Sequence, residues 1–173
     1  DYIEERRPAH VLILSGDHVY RMDYRALLAT HLECRSAATI AVSRVPPDQS
    51  RRFGMATLDR NGAVTGLVEK PDRADTPFAS MGIYLFEAEV LAEMLQSHPV
   101  DMVLDVLRPM IEAGQRVAAH EYQGYWEDVG TLDSYYASNL DLLSDAPPLA
   151  LDDAEWVIHT QSADRPPVRF EPG

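Results

Sequence analysis

HVLILSGD, residues 10–17, is five apolar or half-apolar positions in a row, closed by Ser-Gly-Asp. A run this short, apolar on both faces and ended by a turn signal, reads as a strand buried inside a parallel or mixed sheet. The segments beyond it alternate in kind. YRALLATHLECRS (24–36) carries apolar residues at helical spacing, and AATIAVSRV (37–45) reads as a second buried strand broken by Pro46-Pro47. FGMATLDRNGAVTGLVEKP (53–71) is two alternating segments around Asn61-Gly62, a hairpin signal. Residues 79–97 run from a strand into a helix. Residues 100–114 are helical, with Pro109 set to kink or divide the helix and Gly114 to cap it. Residues 115–122 form a strand, 124–130 a loop and 131–144 a last helix capped by Thr131. Alternating strands and helices with an inserted antiparallel hairpin give an α/β class with a mixed sheet.

Composition changes at Asp145. The remaining 29 residues hold five prolines and little periodicity, and read as a linker or wrap-around arm anchored by Trp156-Val157-Ile158. The opening Asp1-Tyr2-Ile3 resembles the middle of a helix, and RPPVRFEPG (165–173) has no closing element, so the chain reads as a piece of something longer. The acidic cluster Asp152, Asp153 and Glu155 reads as a solvated face.

The net charge is −13. That argues against binding nucleic acid or anionic membrane non-specifically, since both need clustered positive charge. It leaves room for a small phosphate-bearing ligand. One cysteine, Cys34, cannot form an internal disulfide and fits a reducing cytoplasm. The six histidines show no zinc spacing, and neither G-x-S-x-G, G-x-G-x-x-G nor a Walker loop occurs.

Four places offer chemistry. Asp17 ends a buried strand, where α/β sheets bind ligands, and Gly16 permits a sharp exit; the acid suits Mg²⁺, or equally a turn or helix cap. Asp128, in YWEDVGT, is a second candidate metal acid, or an Asx turn ahead of Thr131. Lys70 is the single lysine beside fourteen arginines. It is a compact cation for a phosphate, held extended by Pro71, or else a surface partner of Glu69. In FASMGIY (78–84) small residues let a ligand approach the backbone, and Ser80 can hydrogen-bond a polyol, unless the run is only a tight strand entry.

The order of these motifs adds what each lacks alone. SGDHVYRMDY (15–24), FGMATLD (53–59), VEKP (68–71), ASMGIYLF (79–86) and YWEDVGTLDSYYASNLDLL (125–143) resemble, in sequence, the segments of the glucose-1-phosphate adenylyltransferase (ADP-glucose pyrophosphorylase) family. WVIHTQSADRPPVRF (156–170) resembles that family's link to its C-terminal domain.

The resemblance implies a Rossmann-like nucleotidyltransferase fold, incomplete at its N-terminus. Residues 1–144 would be part of the catalytic domain, and 145–173 a linker toward a left-handed β-helix. It implies adenylyl transfer from ATP to α-D-glucose 1-phosphate with Mg²⁺, in a cytoplasmic, allosteric homotetramer. It carries roles onto residues: Asp17 catalytic and metal-associated, Asp128 the second metal acid, Lys70 on the sugar phosphate. Glu69 and Ser80 would meet the sugar, with Glu69 turned to it rather than to Lys70, and Gly54 would let the sugar lie on the backbone. There are departures. The family's glycine-rich nucleotide loop is absent, VDMVLD (100–105) lacks the Gly-Lys of the family's helix motif, and the loop after Pro71 is short. The alternatives are another sugar-1-phosphate nucleotidyltransferase using UTP or dTTP, and a non-catalytic regulatory subunit of the family.

Overall fold

The computed structural model describes residues 5–159; the expectations for Asp1-Tyr2-Ile3 and for 160–173 lie outside the described residues. In chain order the elements are β1 (His10–Ile13), β2 (His18–Tyr20), α1 (Tyr24–Cys34), β3 (Ala38–Arg44) and a 3₁₀ turn (Pro47–Arg52). Then come β4 (Gly54–Leu58), β5 (Val64–Glu69), β6 (Phe78–Glu87), α2 (Ala88–Leu95) and a π-helical turn (Met102–Leu107). The last are α3 (Arg108–Glu112), β7 (Val117–Glu121), β8 (Trp126–Asp128) and α4 (Leu132–Leu142).

The α/β reading holds, with a mixed sheet. Its strands lie in the order β5-β4-β6-β3-β7, and β1 pairs with β6. Only β3–β7 is parallel; every other pairing in this sheet is antiparallel. Both faces of its centre are covered. Ile40, Val42 and Phe86 pack under Leu91, Val106, Leu107 and Met110, while Ala41, Ile83 and Leu85 pack on Leu27 of α1. Alternate residues of β3 therefore enter different cores, which is why that strand reads as continuously apolar.

β1 hydrogen-bonds β6 on one side and has no partner on its other edge among the described residues. Its residues are accordingly half-buried, and Leu14 beyond it is 44% exposed.

The 59–63 turn is built differently from expectation. Asp59 organises it, accepting from the amides of Asn61 and Ala63 at 2.8 Å each, and Gly62 alone takes positive φ, 79°. The Asn-Gly pair thus serves a wider loop than a two-residue hairpin turn. Pro109 does mark a division: the π-helical turn ends at Leu107, α3 starts at Arg108 with Pro109 in its first turn and ends at Glu112, and Gly114 just beyond takes φ 73°. Beyond α4, the buried anchor is Leu149, whereas Trp156, Val157 and Ile158 are exposed. Arg21 bonds the Ala150 carbonyl and Asp153 and lies over the Trp156 ring. Asp153 is thus paired, so the acidic cluster is not wholly a solvated face.

Candidate active site

Two short strands without a signal of their own in the sequence build the site. β2 and β8 pair antiparallel, with His18 opposite Asp128 and Tyr20 opposite Trp126. β8 falls inside the 124–130 segment expected as loop. At three residues each, the two strands are too short for periodicity to show. Their pairing brings the SGDH and WEDVG segments together, and the Val129 amide donates to the Asp17 carbonyl at 3.4 Å. Donor atoms of Asp17, His18 and Asp128 all fall within 4.8 Å of one another.

Asp17 is exposed, and Ser15 Oγ donates to its Oδ1 at 2.8 Å. That bond is the main cause holding the carboxyl below its usual range, against the opposing effect of desolvation. Asp128 is more enclosed, and its Oδ1 accepts from the Gly130 amide at 3.0 Å. The Asx turn and the candidate metal acid are thus one residue. Arg52 fixes this strand, donating to Glu127 Oε1 at 3.1 Å and to the Asp128 carbonyl at 3.0 Å. Gly16 is not needed for a sharp exit: its φ is not positive, and a side chain there would meet open space.

Beside the acids lies a cavity of about 200 Å³. Gly54, Glu69, Ser80 and Asp128 line it, as do Ser15, His18, Arg52, Tyr84 and Asp101, none of which stands out in the sequence by its own residue type. Ser80 is buried, donating to Tyr84 Oη at 3.4 Å. Burial pushes the Tyr84 phenol up. β6 reaches this place by a bulge. Between Ile40–Tyr84 and Val42–Ser80 it spends four steps against two in β3, with Gly82 at φ 65° inside. Gly54 makes room for a carboxylate: a Cβ there would sit 2.9 Å from Glu69 Oε2.

Lys70 stands outside the residues that line the cavity, 62% exposed at its side chain, with Nζ 3.7 Å from Glu69 Oε1. The pair expected to be apart is thus present, while Glu69 also faces the cavity. Lys70 is not extended either; its φ is 44°. Its amide closes the hairpin edge onto the Phe53 carbonyl at 3.1 Å, and the chain bends there ahead of Pro71. Of the lining residues that sequence reasoning misses, His18 and Asp101 sit inside the quoted motifs, and their motif positions are the available signal. Tyr84 sits inside ASMGIYLF (79–86) in the same way; Arg52 has no such signal.

A nucleotidyl transferase family model matches residues 1–145. The chain belongs to the nucleotidyl transferase family. Among curated relatives, the glucose-1-phosphate adenylyltransferase of Thermomicrobium roseum is 43% identical over 178 residues, covering 99% of this chain and 41% of that protein. Enzymes of the same name from Pseudothermotoga lettingae and Bacillus licheniformis are 39% and 40% identical, over 99% and 96% of the chain and 42% and 45% of their own lengths. The chain thus spans about two-fifths of the relatives it matches. Among the described residues no helix is long and apolar enough to cross a membrane.

Proposed function

We propose that the complete protein carrying this chain transfers the adenylyl group of ATP to α-D-glucose 1-phosphate, giving ADP-glucose and pyrophosphate. The observation that carries the reading is the meeting of Asp17 and Asp128 beside a small polar cavity, in a chain 43% identical to an enzyme so named.

The donor set fits a hard divalent cation. Two carboxylates whose oxygens lie within 4.8 Å of each other suit Mg²⁺, which takes a few carboxylates and leaves other positions to phosphate and water. Asp17 and Asp128 would hold it; when bound, it supplies charge neutralisation for the transferring phosphoryl group. The other residues position and neutralise, which is most of what phosphoryl transfer asks of a protein. Lys70 neutralises the phosphate of the sugar substrate from the cavity mouth. Glu69 and Ser80 hold sugar hydroxyls, and Gly54 keeps the floor low enough for the sugar to lie beside the Glu69 carboxylate. The sugar phosphate oxygen then attacks the α-phosphorus and pyrophosphate leaves.

On the same reading, residues 1–144 are part of the catalytic domain and 145–173 lead toward a β-helix domain. The enzyme would be an allosteric cytoplasmic homotetramer. The test is a nucleotide panel: complete protein with glucose 1-phosphate and ATP, UTP, CTP or dTTP. Preference for ATP is expected, and clear preference for another nucleotide overturns the adenylyl assignment.

A further inference from the structure

Asp17, His18 and Asp128 together look like a three-ligand cation site in which the imidazole supplies a nitrogen. The hydrogen bonding of His18 points elsewhere. The indole N–H of Trp126 lies 3.2 Å from His18 Nδ1. An indole nitrogen only donates, so Nδ1 accepts and carries no proton, and the ring's proton is on Nε2. Nε2 is the nitrogen that faces the acids, 3.6 Å from Asp17 Oδ1 and 3.8 Å from Asp128 Oδ1. A ring nitrogen that bears a proton has no lone pair for a metal.

The ring is also boxed in. Its side chain is 11% exposed and meets Trp126 edge-on at 5.7 Å. Trp126 is itself braced by Phe53 at 4.9 Å and by its place opposite Tyr20. On another side stands Gly82, where an added Cβ would come within 3.5 Å of His18 Cε1. Turning the imidazole to present a bare nitrogen to the acids would break the Trp126 bond inside this enclosure.

We propose that His18 is a positioning residue and not a ligand. Its Nε2–H, fixed by Trp126, faces the carboxylates of Asp17 and Asp128 from just beyond hydrogen-bond length, 3.6 and 3.8 Å, and closes on them as they converge on a shared all-oxygen cation site. Such a site suits Mg²⁺ and Mn²⁺ and lacks the imidazole nitrogen that would widen the advantage of Co²⁺, Ni²⁺ and Zn²⁺. The inference rests on the proposed role of the two acids as metal ligands.

The test uses the complete protein with Mn²⁺ as probe. Pulsed electron paramagnetic resonance of bound Mn²⁺ is expected to show no nitrogen coupling of the size a directly bound imidazole gives; such a coupling overturns the proposal. This arm needs no variant and so does not depend on one folding. His18→Gln keeps an N–H near the Nε2 position and is expected to hold the Mn²⁺ Kd within about threefold, while His18→Ala weakens it roughly tenfold. Equal loss in both overturns the proposal. Trp126→Phe keeps a ring but frees the tautomer, and is expected to raise Co²⁺ affinity relative to Mn²⁺ several-fold; an unchanged ratio overturns the proposal. Failure of the underlying reading has its own mark. Mn²⁺ binding that survives in both Asp17→Asn and Asp128→Asn removes the acid pair, and the proposal with it.

Discussion

Lys70 holds a φ of 44° immediately before Pro71. Left-handed backbone costs a residue with a Cβ roughly 1–2 kcal/mol, and a following proline adds to the crowding. Such strain is kept where the side chain matters more than the backbone. Two substitutions separate these contributions. Lys70→Ala and Lys70→Gly both remove the charge, and each is expected to raise the KM for glucose 1-phosphate roughly 10–100-fold while leaving that for ATP nearly unchanged. In urea unfolding, however, the glycine variant is expected to be more stable than the alanine one by about 1 kcal/mol. Asp59 gives a pH prediction. Amides of Ala63 and Asn61 hold its carboxyl low, so its contribution is present above the ordinary carboxylate range and is lost as pH falls through its folded value. The stability gap between the protein and Asp59→Asn should be widest near neutrality and close in acid. The meeting of Asp17 and Asp128 was legible because motif order is written in the sequence. The bend at Lys70, the Arg52 clamp and the Trp126–His18 bond were not, because each depends on partners from a distant segment.

Elements carry the site through two devices, the β2–β8 ribbon and the bulge in β6. Gly82 lies in that bulge at φ 65°, where an added Cβ would stand 3.2 Å from Ser15 Cβ. Gly82→Ala is expected to destabilise the protein by about 1–2 kcal/mol from the backbone alone. It should also weaken Mn²⁺ binding, because Ser15 orients Asp17. Gly16→Ala is the contrast. Its surroundings are open and its φ is not positive, so stability should stay within about 0.5 kcal/mol. Denaturation midpoints of the two variants decide the matter; equal losses would mean the bulge is not what Gly82 serves. Longer elements such as α1, β3, β6 and α4 were legible from their periodicity. β2 and β8 were not, since three residues show no period and their pairing spans over a hundred positions.

At the scale of the whole molecule, the acids stand at the edge of a cavity of about 200 Å³. Pockets that enclose a drug-sized ligand run from roughly 300 to 1,000 Å³. One sugar phosphate suits the smaller space; ATP together with it does not. α4, which starts four residues after Asp128, exposes Leu132, Tyr136 and Leu140 along one stripe, with Leu143 just beyond its end also exposed. A stripe of that kind marks a surface that is covered in some larger arrangement. Both observations agree with a chain that matches only 41–45% of each relative's length. The α/β class was open to sequence reading because alternation of elements survives in any long segment. It follows that the 173 residues by themselves should bind glucose 1-phosphate weakly and release no pyrophosphate from ATP. A coupled pyrophosphate assay beside the complete protein checks this, with calorimetry for the sugar phosphate. Turnover by the isolated chain within tenfold of the complete protein would mean that these elements form both halves of the site, and that the cavity opens far wider than its resting volume.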